Sequence, residues 1–334
     1  MQFDLLHSRS VRGPLRSRRT GILLFLFLLI LTYTGLSFGY SKSTSRVYLN
    51  GVPTPVYFND GDSFRVLSGP FAGTKARLKG YNTLESYGAV HQWGTWTRKE
   101  LYVLAKEATL VARKGIWHCT SDLKKDGYGR ILWDCPDVAL ELVSRGLAHA
   151  LTITRHPADA KLLEAQHEAM RKGLGIWAHG IPRYILTSTH SYAERNGQFK
   201  PYNRLISSRD GHSEKWYHEN TYAECEDVCL MARNPTDDWI ADAVSSLRTL
   251  EKEDEDMEWL SSHDDAALAE IVTDLMHLGF SYRLREDPHA EDLSARLEAF
   301  MQDGTLEPLE RTKDSCMIYV DFRRRFGRNR AACL

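Results

Sequence analysis

Residues 53–85 read PTPVYFNDGDSFRVLSGPFAGTKARLKGYNTLE, and this stretch decides the fold. Three short strand-like runs, at 55–58, 64–67 and 76–81, are separated by the turn sequences Asn59-Asp60-Gly61 and Gly69-Pro70. Runs this short, with turns this close, read as a meander of strands. Downstream, 115–119, 130–133 and 147–154 read as further strands. Three helices interrupt them. The first follows Thr97, with Glu100 completing a capping box, and carries an apolar stripe of Leu101, Leu104, Ala105 and Ala108. The second starts near Asp137 and stops at Gly146. The third starts near 157–159 and ends at Gly173, and both glycines suit a left-handed helix cap. So few helices among five or six short strands predict a small α+β barrel over 46–178, not a doubly wound sheet.

The chain has 334 residues, with 43 Lys+Arg against 44 Asp+Glu. This balance excludes a histone-like binder that works by bulk positive potential, but not a local phosphate site built from a few arginines. At about 150 residues per domain, the length predicts a second unit, 179–334. It is expected to be mainly helical. One helix carries Leu268, Ile271, Val272, Leu275 and Met276 before Gly279, and another carries Leu293, Leu297, Phe300 and Met301 before Gly304. The acidic run Glu251, Glu253, Asp254, Glu255, Asp256 and Glu258 reads as a solvated linker or helix face. The tail with Arg323, Arg324, Arg325, Arg328 and Arg330 reads as solvated and acid-paired, with phosphate contact as the alternative.

Residues 1–20 are a basic leader, with Arg9, Arg12, Arg16, Arg18 and Arg19 against Asp4, and 20–41 hold no charge. Residues 21–40 are expected to be a transmembrane signal anchor, or a signal peptide cut before Tyr40. Either reading puts the rest outside the cytoplasm, membrane-anchored or secreted. All six cysteines lie in that part: Cys119, Cys135, Cys225, Cys229, Cys316 and Cys333. An even count in an oxidising compartment predicts disulfides. Cys119 and Cys135 flank Gly127-Tyr128-Gly129 and are expected to face each other across a hairpin. Cys225 and Cys229 are each expected to bond Cys316 or Cys333. A four-cysteine zinc site is the rival.

Four pieces carry chemistry: Asp60-Gly61-Asp62-Ser63, the run from Arg77 to Glu85, Tyr128-Gly129-Arg130, and Glu164-Ala165-Gln166 through Gly175-Ile176-Trp177. Asp62 is a hard oxygen ligand on a tight turn, which the Asn82 amide oxygen and the Thr83 carbonyl can join around Ca²⁺. Glu85 can accept a proton from attacking water. Arg77 and Arg130 offer planar, permanently charged forks for phosphate oxygens. No G-x-S-x-G, P-loop or H-E-x-x-H pattern competes. His118, His149 and His156 read as structural histidines.

The order of these pieces resembles the thermonuclease family, the staphylococcal-nuclease-like domains, over residues 53–178. The resemblance implies a five-stranded OB-type β-barrel with three helices, Ca²⁺, and hydrolysis of DNA or RNA phosphodiester bonds with little sequence preference, leaving 3′-phosphate ends. It implies that Asp62 holds metal with Thr83, that Arg77 and Arg130 bind phosphate, that Glu85 orients water, and that Tyr128 lies beside the bound nucleotide. Two departures follow from the sequence. Asn82 stands where active members carry a second metal-binding aspartate, and Leu84 replaces a proline. Removing one negative charge predicts weaker calcium binding. Thr152 and Thr154 stand where the family's best-known member has aromatics, and Trp93 and Trp96 read as core packing more than as a replacement stacking surface. The competing reading is a non-catalytic module that binds nucleic acid or protein at the cell envelope.

Overall fold

Alternation builds the barrel wall. In a computed structural model of the chain, residues 45–195, 201–284, 287–325 and 328–334 are described, and the leader 1–20 and the apolar segment 21–40 lie outside the described residues. β1 (Ser45–Leu49), β2 (Val52–Asp60), β3 (Ser63–Val66) and β4 (Lys75–Leu78) pair antiparallel in sequence order. Their inward residues Val47, Leu49, Val56, Phe58, Phe64, Val66, Ala76 and Leu78 are all buried. β5 (Tyr81–Asn82) leads toward Glu85, and β6 (His91–Trp93) follows it. β7 (Ile116–Cys119) adds parallel to β1, and β8 (Ile131–Trp133) adds parallel to β4. β9 (His149–Ala150) pairs with β5.

The resulting sheet is a curled half-barrel of six strands, in the order β7-β1-β2-β3-β4-β8, where the resemblance implied five. β1, which no strand reading of the sequence included, supplies the extra one. The expected hairpin of 115–119 with 130–133 is replaced by something weaker. β7 and β8 spend their edges on β1 and β4, so the arms pair antiparallel only beyond β7, at the bridges Thr120–Asp134, where each N–H donates 2.8 Å to the other's carbonyl, and Lys125–Ile131. The Cys119–Cys135 disulfide joins the two sheet edges beside the first of these bridges.

The helices are α1 (Arg98–Lys114), α2 (Pro136–Ser144) and α3 (Ala160–Arg171). Thr97 and Glu100 form the capping box of α1, and Leu101, Ala105, Ala108 and Ala112 are its buried stripe. Asp159 caps α3. Gly146, with φ near 65°, ends the stretch after α2, and a Cβ there would meet the Leu174 carbonyl at 2.2 Å. Trp93 and Trp96 are buried, and their indole N–H groups donate to the carbonyls of Gly180 and Ile176. They therefore offer no stacking surface.

Residues 179–334 are mixed rather than mainly helical. β10 (Tyr184–Ser188), β11 (Tyr202–Ser207) and β12 (Ser213–Tyr217) form one antiparallel sheet. β13 (Asp227–Ala232) pairs with β14 (Thr312–Ile318), and β14 also pairs with β6, between Glu85 and α1. α4 (Asp237–Glu253), α5 (Asp265–Leu278) and α6 (Ala290–Asp303) bury their own core, including Leu247, Ile271, Leu275, Leu293 and Leu297. The acidic run is not a plain linker. It closes as a short helical turn with Met257 and Leu260 buried, while Arg248 bonds Glu251 and Arg296 bonds Asp254. Cys225 bonds Cys333 and Cys229 bonds Cys316, so these four sulfurs are committed in pairs and form no zinc site. From Ser45 onward the barrel and the extension belong to one compact unit. Among the described residues no helix is long and apolar enough to cross a membrane.

Candidate active site

The turn between β2 and β3 aims Asp62 inward. Asp60 Oδ1 accepts from Ser63 Oγ (2.6 Å) and from the Asp62 N–H (3.3 Å), which is the Asx pattern that bends a chain locally. Gly61 is required by close approach, because a Cβ there would fall 2.5 Å from Thr83 Cγ2. Asp62 is 2% exposed. Its Oδ2 accepts from the Thr83 N–H (2.8 Å) and Thr83 Oγ1 (3.3 Å), and its Oδ1 accepts from Arg77 Nη1.

Arg77 projects from β4, and its other terminal nitrogen donates to Asn82 Oδ1 (2.5 Å). Asn82 Nδ2 donates to the Thr83 carbonyl (2.9 Å) and stands 3.2 Å from His149 Nε2, its partner across the β5–β9 ladder. His149 is buried, and burial pushes its pKa down to about 4. Its Nδ1 lies 3.1 Å from the Ala150 carbonyl, so the network assigns the ring proton to Nδ1 and leaves Nε2 to accept from Asn82. Asp62, Arg77, Asn82 and Thr83 thus form one hydrogen-bonded network.

Glu85 and Arg130 reach that network through charge. Burial raises the Glu85 pKa, the Arg325 guanidinium opposes this, Asp62 adds to it, and Arg77 and Arg130 oppose it. Glu85 therefore lies in the field of both Arg77 and Arg130. The Asp60 pKa is raised well above the ordinary carboxylate range by burial, then by Asp62 and Glu85. Burial disfavours the Arg77 charge, but Asp62, Asp60 and Glu85 more than offset it. Arg130 Nε donates to Asp126 Oδ2 (2.7 Å), and its guanidinium lies 5.5 Å from the Tyr128 ring. Tyr128 is 75% exposed, on the rim. Lys106 Nζ donates to the Ser86 carbonyl and sits 3.9 Å over the Tyr87 ring, which ties the segment after Glu85 to α1.

Two comparisons bear on this arrangement. Residues 75–179 match the family model described as staphylococcal nuclease homologue. A Haemophilus influenzae protein named "Uncharacterized endonuclease" is 32% identical over 164 residues, covering 48% of this chain and 80% of that protein. The chain belongs to the staphylococcal nuclease homologue family. For this family member, sequence reading missed two neighbours of the site. His149 is 67 residues from Asn82 and meets it only through strand pairing. Arg325 comes from the tail, where a Cβ on Gly88 would meet its Cδ at 3.0 Å, so its stem packs on the segment following Glu85. The one signal for it was the run of arginines. Arg324 beside it pairs with Glu224.

Among the described residues no group of three or more His, Cys, Asp or Glu side chains is arranged to hold a metal ion. A cation here needs neutral oxygens as well. Asp62 Oδ1 and Asn82 Oδ1 converge on one guanidinium, that of Arg77. One carboxylate and one amide oxygen that converge are donors of the kind a hard cation takes.

Proposed function

We propose that the chain is a nuclease that hydrolyses phosphodiester bonds of DNA or RNA strands with little sequence preference. The observation that carries this reading is the hydrogen-bonded network of Asp62, Arg77, Asn82 and Thr83, with Glu85 partly buried and within the charge influence of Asp62, Arg77 and Arg130. Arg77 and Arg130 hold the non-bridging oxygens and stabilise the charge that builds on phosphorus. Glu85, its proton affinity raised by burial, takes the proton of the attacking water. The P–O5′ bond breaks and the 3′-phosphate end remains. Asp62, the Asn82 amide oxygen and the Thr83 carbonyl would hold Ca²⁺. When bound, the ion supplies Lewis-acid stabilisation of the phosphate. Tyr128, exposed on the rim, lies beside the nucleotide.

Export belongs to the same reading. Residues 21–40 anchor the chain or direct its secretion, and the nuclease works outside the cytoplasm. Three disulfides support that compartment. The test is a calcium titration with single-stranded DNA and RNA. Cleavage should appear with Ca²⁺ and stop with chelator. No cleavage with Ca²⁺, Mg²⁺ or Mn²⁺ would transfer the assignment to the non-catalytic binding module.

A further inference from the structure

The segment after β9 meets the extension edge to edge. The Thr152 N–H donates to the Gly211 carbonyl (2.8 Å), the Ser213 N–H to the Thr154 carbonyl (3.0 Å) and the Ala158 N–H to the Asp210 carbonyl (2.8 Å). Between the two lies a pocket of about 410 Å³ lined by Ile153, Arg155, His156, Arg204, Glu214 and Lys215, among others. Three cationic side chains face one buried carboxylate, Glu214, which His212 Nε2 approaches at 3.6 Å. The cations stand against aromatic faces. Arg204 donates to Ser213 Oγ (2.5 Å) and to Tyr202 Oη (3.1 Å), and its guanidinium lies 5.4 Å from the Tyr202 ring. Lys215 Nζ lies 4.9 Å from the same ring, and the Tyr217 ring lies 5.7 Å from it. Ile153 is 75% exposed at the pocket wall.

Interleaved cations and ring faces match the chemistry of a single nucleic-acid strand, with phosphates for the cations and bases for the rings. The position fits as well. His149 faces Asn82 in the candidate active site, and Thr154 at the pocket lies five residues on, at most about 17 Å of chain. Single-strand sites on such barrels cover about 4–16 nucleotides. We propose that this groove is a second nucleic-acid subsite, in which Arg155, Arg204 and Lys215 hold backbone phosphates of a strand whose reacting phosphate lies at Arg77, while Tyr202 and Ile153 take its bases. The inference rests on the nuclease reading for the identity of the strand. It also gives the extension a function of its own, which is to lengthen the substrate cleft.

The experiment uses the full chain carrying Glu85→Gln, so that the strand survives, and reads the anisotropy of labelled oligothymidylates of two and twelve nucleotides. Adding Arg204→Ala with Lys215→Ala should weaken the twelve-mer at least tenfold and the dinucleotide less than threefold. Loss of two phosphate contacts should also flatten the salt slope by about 1.4, at about 0.7 per phosphate on a single strand. Arg204→Lys with Lys215→Arg, which keeps both charges, should stay within threefold of the parent and so separates lost charge from lost folding. Equal affinity and slope in the parent and the double-alanine chain would overturn the groove and leave the nuclease reading intact. A twelve-mer that needs these cations but is never cut by the unmodified chain would support the groove and sink the nuclease reading.

Discussion

Asn82 presents an amide where a carboxylate would face two acceptors. Its Nδ2 donates to the Thr83 carbonyl and stands against His149 Nε2, while its oxygen accepts from Arg77. An aspartate here would set an anionic oxygen against that carbonyl and that ring nitrogen, and His149 would answer by taking a proton. Asn82→Asp should therefore raise the His149 pKa from about 4 by more than one unit, read by NMR titration of the ring. It should also lower the calcium concentration for half-maximal cleavage. A ring that still titrates near 4, with calcium dependence unmoved, would show that the amide is oriented otherwise. The meeting of Asp62 with Arg77, Asn82 and Thr83 was legible in the sequence because they sit at short spacings around one turn and one loop. His149 and Arg325 were not legible, because only long-range pairing and packing bring them in.

At the scale of elements, the two edges of the curled sheet are joined through the antiparallel bridges Thr120–Asp134 and Lys125–Ile131 and one disulfide, Cys119–Cys135. Replacing both cysteines by alanine should lower stability by about 3 kcal/mol, the loop-closure entropy of a loop this long. Urea unfolding of oxidised parent and variant checks this, and an unchanged midpoint would mean that the two bridges alone close the edge. β6 carries a buried histidine. Burial pushes the His91 pKa down to about 3, His149 adds to this, and the Leu186 backbone opposes it. The folded chain keeps His91 neutral between pH 3 and 6.5, while the unfolded chain protonates it. This contribution is complete above about pH 6.5 and is lost as pH falls toward 3. His91→Leu removes the dependence, so between pH 7 and pH 5 the variant should gain about 2 kcal/mol relative to the parent. Parallel urea curves at the two pH values check it, and a constant difference contradicts it. Short runs bounded by turn residues gave away β2, β3 and β4, and helical spacing gave away the α1 stripe. The parallel additions of β7 and β8 were hidden, because a hairpin reading of 115–133 satisfies the same local pattern.

At the scale of the molecule, the family match ends at residue 179, but the fold does not. β14 supplies the neighbour of β6, the Gly180 carbonyl accepts from the Trp93 indole, and Arg325 packs on Gly88. Residues 45–179 alone should thus unfold at lower urea than 45–334 and lose most cleavage activity. A fragment as stable and as active as the longer chain would show that the extension is an appendage. None of this dependence was visible in the sequence. A strand that pairs across more than 200 residues leaves no periodic trace, and the helical periodicity of α5 and α6 drew the reading of the extension toward helices alone.

In the proposed mechanism Glu85 activates water against a phosphate held by Arg77 and Arg130. The direct measurement is the cleavage rate of a single-stranded oligonucleotide with saturating calcium, for the unmodified chain beside Glu85→Gln. General bases contribute about 10²–10⁴-fold, so the account predicts cutting by the first chain and a loss well beyond tenfold in the second. Equal rates in the two chains, or no cutting by either, would contradict it.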